Sequence, residues 1–228
     1  MKNSITALIF TGIIFSCTTP DKTKTPTQES AQKETIVETN SVETNKQLKA
    51  IDTDEALIAT ALMAAPSESR SDCTVIGYNM AGEFVTLREG SNEFIVLADN
   101  PNKDGFNAAC YHKDLEPFMA RGRALKAEGK SGDEIFEIRE AEMKSGLLNI
   151  TTGATLHVYS GKNTMYDPET SKVEGATHRY VVYMPFATSE STGLPKIPLA
   201  ANHPWIMNPG THRAHIMISP LVGDSEEE

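Results

Sequence analysis

Apolar residues are spread unevenly along the chain. A block from Ile5 to Phe15 follows Lys2, large apolar side chains then nearly vanish from Thr18 to about Ala50, and short patterned runs begin at Ile51. The first of these, ALIATALMAA, is apolar nearly all round. Asp52, three residues before Glu55, forms a capping-box arrangement ahead of it, and Pro66 stops it, so the run predicts a helix packed on more than one side. Next come CTVIGYN, EFVTLRE and EFIVLAD, separated by Asn79-Met80-Ala81-Gly82 and Gly90-Ser91-Asn92. That spacing predicts hairpins in an antiparallel meander, with EFIVLAD as a central strand buried on both faces. After a loop at Asn100–Gly105, FNAACYH predicts a fourth strand.

The period then changes. Asp114 caps LEPFMARGRALKAE, which Gly129 stops, and Leu115, Phe118, Met119 and Leu125 share one side. Ser131 and Glu134 form a capping box for EIFEIREAEMKS, closed by Gly146, which completes a helical hairpin. Strand patterns resume in ATLHVYS, where Thr155, His157 and Tyr159 oppose Leu156 and Val158, and in HRYVVYMPFA. The last strand is AHIMIS, with His215 and Met217 on one face. A long irregular connection, 188–213, precedes it, and its apolar content, including Trp205, predicts an ordered loop packed on the fold. These elements predict an α+β fold: a mostly antiparallel sheet of about six or seven strands, a packed N-terminal helix and an inserted helical hairpin.

Composition adds location. Lys2, the apolar block and Ile14-Phe15-Ser16-Cys17 read as an export signal with a lipobox over 1–16, and Cys17 is the residue to be acylated. The apolar block is shorter than the roughly 20 residues of a membrane span. Residues 17–50 hold eight threonines and balanced charges, the pattern of a disordered tether with a reach of about 30 Å. One domain over 51–221 and an acidic tail over 222–228 complete the expected organisation. Thr18 follows the cysteine, where an aspartate would argue for inner-membrane retention, so the expected location is the outer membrane, facing periplasm or surface. The net charge of −10 argues against nucleic acid as a partner. The expected partners are the membrane, through the lipid on Cys17, and a small molecule or an envelope protein.

Candidate chemistry gathers in HPWIMNPGTHRAHIMISP, residues 203–220. His203, Trp205 and His215, joined by His157, are the expected ligand-binding residues, which requires His157 and His215 to converge. No cofactor is expected. A zinc site on His203, His212 and His215, or a copper site helped by Met207 and Met217, is the metal alternative, though no HExxH or paired CxxC spacing supports it. The competing reading is hydrogen-bonded or surface histidines around a Met-padded core. Cys73 and Cys110 are expected to form a disulfide. Alternatively Cys110, two residues from His112 on one strand face, is a nucleophile candidate, and with His112, His203 and His215 it defines a metal- or cysteine-dependent hydrolase. Ser160-Gly161-Lys162 ends a strand without the rest of a phosphate cradle. Arg121 and Arg123 read as a solvated helix face with counter-charges nearby.

The stretches ACYHKDLEPFMARGRALKAEG, RYVVYMPFATSESTGLP and PWIMNPGTHRAHIMISP resemble a set of uncharacterised exported bacterial proteins from about Ala56 onward. The resemblance implies a self-contained module and carries over no activity or site. The expected function is a binding module of the envelope; the alternatives are the hydrolase and a structural or assembly lipoprotein without a pocket.

Overall fold

The computed structural model of the chain describes residues 47–219, so the export signal, Cys17, most of the tether and the acidic tail lie outside the described residues. The fold is α+β. Its strands are β1 (Lys49–Ala50), β2 (Thr74–Tyr78), β3 (Phe84–Arg88), β4 (Phe94–Leu97), β5 (Phe106–His112), β6 (Thr155–Gly161), β7 (Met165–Tyr166), β8 (Thr177–Tyr183), β9 (Trp205–Met207) and β10 (His215–Ile218). The helices are α1 (Asp54–Ala61), α2 (Glu116–Ala127), α3 (Gly132–Ser145) and the short α4 (Ser189–Thr192). Eight strands form one sheet in the order β3-β2-β4-β5-β6-β8-β10-β9, and β1 pairs with β7 apart from it. β1 falls at the end of the stretch expected to be a tether, and β9 lies within the connection expected to be irregular.

The sheet is not the simple meander that the turn signals predict. β2 and β3 do form an antiparallel hairpin, but β4 pairs with β2 in parallel, on the side away from β3. The chain reaches that side by crossing over the start of β2. Ser91 N and Asn92 N both donate to the Asp72 carbonyl, at 2.8 and 3.1 Å. A Cβ at Gly90 would lie 2.2 Å from Thr74 N and 2.3 Å from the Cys73 carbonyl carbon. Gly90 is therefore a crossing glycine: only a residue without a side chain lets the two backbones pass.

Both sheet faces are covered, by different layers. On one face, Val75, Val96, Ala108, Cys110 and Tyr159 pack with Ala61, Ala64 and Ala65, from α1 and the turn that extends it. On the other, Tyr111, Val181, Tyr183 and Met217 pack with Leu115 and Phe118 from the helical hairpin. Burying each large apolar side chain contributes on the order of 1.5–3 kcal/mol. α1 is capped by Thr53, whose hydroxyl accepts from Ala56 N at 3.1 Å, one residue after the predicted Asp52. His112, rather than Asp114, caps the turn leading into α2, its Nδ1 accepting from Asp114 N at 3.2 Å. The Ser131–Glu134 capping box and the left-handed Gly146, with φ 78°, bound α3 as its sequence predicts. Arg121 forks onto Glu142 of α3 at 2.7 and 2.9 Å, and Arg123 pairs with Glu116, so both arginines are structural.

Candidate functional site

The residues expected to form a site do not converge. Cys110, in the α1-side core, pairs across the strands with His157, which in turn pairs with Tyr180, and this sets His157 on the α1 face. His215 pairs with Tyr183, three residues further along β8, an odd offset that puts it on the helical-hairpin face. His157 instead meets Tyr180 edge-on at 5.1 Å. His178, which belongs to no motif in the sequence, stacks on Tyr159 at 4.6 Å. Trp205 lies in β9 opposite Met217 and packs into the hairpin-side core. His203 Nδ1 is buried without a hydrogen-bond partner among the described residues.

The histidines of the metal alternative are held by different partners. His212 is fully buried beside Glu140 of α3, while His215 Nδ1 lies 2.7 Å from the Arg213 carbonyl. Among the described residues no group of three His, Cys, Asp or Glu is gathered to hold a metal ion.

The cysteines lie together in the α1-side core. Cys73 and Cys110 are free, buried thiols in one core cluster. Cys73 enters β2 and Cys110 sits on β5, with β4 between them. Their side chains nonetheless meet in the core, thiol against thiol. Cys73 Sγ donates to the Ser69 carbonyl at 3.1 Å. Burial, reinforced by the neighbouring Cys73, pushes the Cys110 thiol up to about 12. That is the setting of an inert core thiol, not a nucleophile, and His112 beside it is occupied as a cap.

A groove of about 700 Å³ opens elsewhere, at the end of β5, β6 and β8 where β8 begins. The 188–213 connection follows the opposite end of β8, about 20 Å away along the strand. Cross-strand register builds the floor. Asn107 faces Ser160, and Ser160 faces Thr177, giving a polar row across three strands about 10 Å wide. Arg179 stands two residues along β8 from Thr177, hence about 7 Å deeper on the same face. Lys162, Asn163 and Asp104 come from the turns beyond the strand ends.

This is the hairpin face, at a part of it left open to solvent. Val181 is 4% exposed beneath the helices, whereas Arg179 and Thr177 are open to solvent. Burial falls away along β5 in the same direction, from Tyr111 through Ala109 to an exposed Asn107. Gly161 permits the tight wall of the groove: its Cβ would sit 2.9 Å from Ala176 Cα.

Within the groove, Arg179 and Lys162 have no ion pair or hydrogen bond from their side chains among the described residues, and neither do the Ser160 and Thr177 hydroxyls. Asn163 donates to Glu174 at 3.2 Å. The arrangement is a shelf of hydrogen-bonding groups with two unpaired cations, chemistry suited to binding an oxygen-rich molecule. Ser160-Gly161-Lys162 lines this groove together with residues from β5 and β8. One signal of this lies in the sequence: Arg179 is a cation inside an otherwise aromatic and β-branched strand, on the same face as Val181.

No family model, no curated protein and no solved structure matches the chain.

Proposed function

We propose that this chain is an envelope lipoprotein whose α+β domain is a binding module for a small polar molecule, held in the groove at the end of β5, β6 and β8. The observation carrying this reading is the Asn107–Ser160–Thr177 row in a groove of about 700 Å³, with its hydroxyls uncommitted and Arg179 beside it. Ligand sites commonly enclose about 300–1,000 Å³ and fix orientation with a few polar groups. The charged groups that line the groove, Asp104, Lys162 and Arg179, lie at exposed positions, which suits recognition of a ligand from solvent.

Two measurements test the two halves of the proposal. Amide-resolved NMR titration with a panel of neutral and charged sugars is expected to move resonances of Asn107, Ser160 and Thr177, and Ser160→Trp is expected to block the change. Shifts confined to other regions would remove the groove from consideration. For the anchor, metabolic labelling with palmitate is expected to mark the chain and to fail for Cys17→Ala; labelling that survives the substitution overturns the lipobox assignment.

A further inference from the structure

We infer that the groove's ligand is an anionic sugar derivative, a sugar acid or sugar phosphate, whose charged group is held by Arg179 and whose hydroxyls meet the polar row and Asp104, with Lys162 adding positive charge from beyond the row. The inference rests on the reading of the groove as a ligand site and names the ligand's class.

Charge bookkeeping across the fold carries it. The chain has a net charge of −10, so carboxylates are plentiful. Arg121 and Arg123 take Glu142 and Glu116 as partners. Arg70 and Arg88 are spent on backbone carbonyls, and Arg139 donates to the Phe118 carbonyl. Arg179 and Lys162 have no side-chain ion pair or hydrogen bond among the described residues, as Arg213 also has none, but these two line one groove together. Asp104 lines the same groove and makes no ion pair with either of them. A guanidinium presents a planar fork that matches a carboxylate or phosphate with two parallel hydrogen bonds, and a lysine adds a point charge.

Positions along the strands fit a ligand with one charged end. Arg179 lies deepest, nearest the helices, and the amide and hydroxyls of Asn107, Ser160 and Thr177 form the next row outward. Asp104 and Lys162 both stand beyond the strand ends, where the carboxylate can accept from sugar hydroxyls and the ammonium adds positive charge. Further positive charge stands close by. Lys103, adjacent to Asp104, is crowded against Lys126 at the end of α2, and this like-charge contact holds the Lys126 ammonium below its ordinary range.

The test is calorimetric titration of the full chain in detergent with glucose, glucuronate and glucose 6-phosphate. It is repeated for Arg179→Gln, Lys162→Gln and Ser160→Trp. All but the last lie at exposed positions, and circular dichroism checks that each variant keeps its fold. The expected result is binding of at least one charged sugar at least about tenfold tighter than glucose, weakened at least about tenfold by Arg179→Gln and also by added salt. The two charged arms decide between carboxylate and phosphate. Glucose binding as tightly as both charged sugars, with no effect of Arg179→Gln or Lys162→Gln, overturns the anionic class and leaves the groove standing. Charged sugars that bind equally well to Ser160→Trp overturn the groove reading itself. Absence of binding by all three sugars overturns the inference.

Discussion

The Nδ1 of His212 lies 3.2 Å from Glu140 Oε2, joining the segment before β10 to α3 through an imidazole that is fully buried. Its ring also meets Phe136 at 4.7 Å and Phe118 at 5.9 Å, so it is wedged between aromatic side chains of the hairpin. Burial holds its pKa below the ordinary histidine range. Arg139 and Arg213 push the same way, and Glu140 opposes them. His157, His178 and His215 are lowered too, each chiefly by burial.

These shifts fix the sign of a pH dependence. A histidine whose folded pKa is depressed takes up its proton more readily when unfolded. Its stabilising contribution is present above the unfolded value of about 6.5 and is lost as pH falls through the folded value. Chemical denaturation is therefore expected to show lower stability at pH 5 than at pH 7.5, with a slope of up to about 1.4 kcal/mol per pH unit for each histidine titrating. His212→Gln should flatten that slope. A stability that rises between pH 6.5 and 5 would contradict the burial of these imidazoles.

Gly90 is expected to be among the least replaceable residues of the chain. Its hypothetical Cβ meets backbone atoms of Asp72, Cys73 and Thr74, which cannot swing aside as a side chain can. Gly90→Ala should cost about 3–5 kcal/mol, at the severe end for a single substitution. At Gly129, where a Cβ meets nothing within 4 Å, only the φ of +82° opposes alanine, and the cost should be markedly smaller. Urea midpoints of the two variants make the comparison, and equal midpoints would show that the crossing relaxes.

Cys73 and Cys110 should be silent to thiol reagents in the folded chain. With Cys17 replaced by alanine, Ellman's reagent is expected to find no reactive thiol under native conditions and two after denaturation, since these are then the remaining cysteines. Rapid native reaction of Cys110 would argue against its burial and its raised pKa.

Arg139 is buried with its guanidinium 4.0 Å above the Phe118 ring, and a Cβ on Gly122 would lie 2.9 Å from its Nη1. Its Nε has no hydrogen-bond partner among the described residues, and burial lowers its pKa to about 10. The side chain acts as packing between α2 and α3 more than as a charge. Arg139→Met, which keeps the volume and removes an unpaired buried charge, should leave the melting temperature unchanged or raised. Arg139→Ala should lower it, by about 2–4 kcal/mol of stability, through the space it opens. A larger loss from methionine than from alanine would mean that the charge itself is required.

Much of the local structure is legible in the sequence, because short-range rules set it. The alternation in β6 places Leu156 and His157 on opposite faces, the capping box at Ser131 and Glu134 starts α3, and the left-handed Gly146 ends it. The strand FNAACYH appears with the boundaries its pattern predicts. Side-chain periodicity and capping depend on neighbours a few residues away, so one chain carries that information directly.

Which strands lie side by side, and in what register, is decided only by tertiary packing. His157 and His215 each have a defined parity within their own strands, but whether they share a face depends on the β6–β8–β10 register, where an offset of three residues separates them. Gly90 reads as a turn glycine until β4 is seen to lie beyond β2, and Asp72 to Thr74 beneath it. The groove is assembled from Asn107, Ser160 and Thr177, residues of three strands separated by a helical hairpin and a loop, with Arg179 exposed on the same face. A sequence specifies each face; the long-range contacts that bury apolar surface on both sides of the sheet determine which faces meet, and therefore where polar groups are left free to bind.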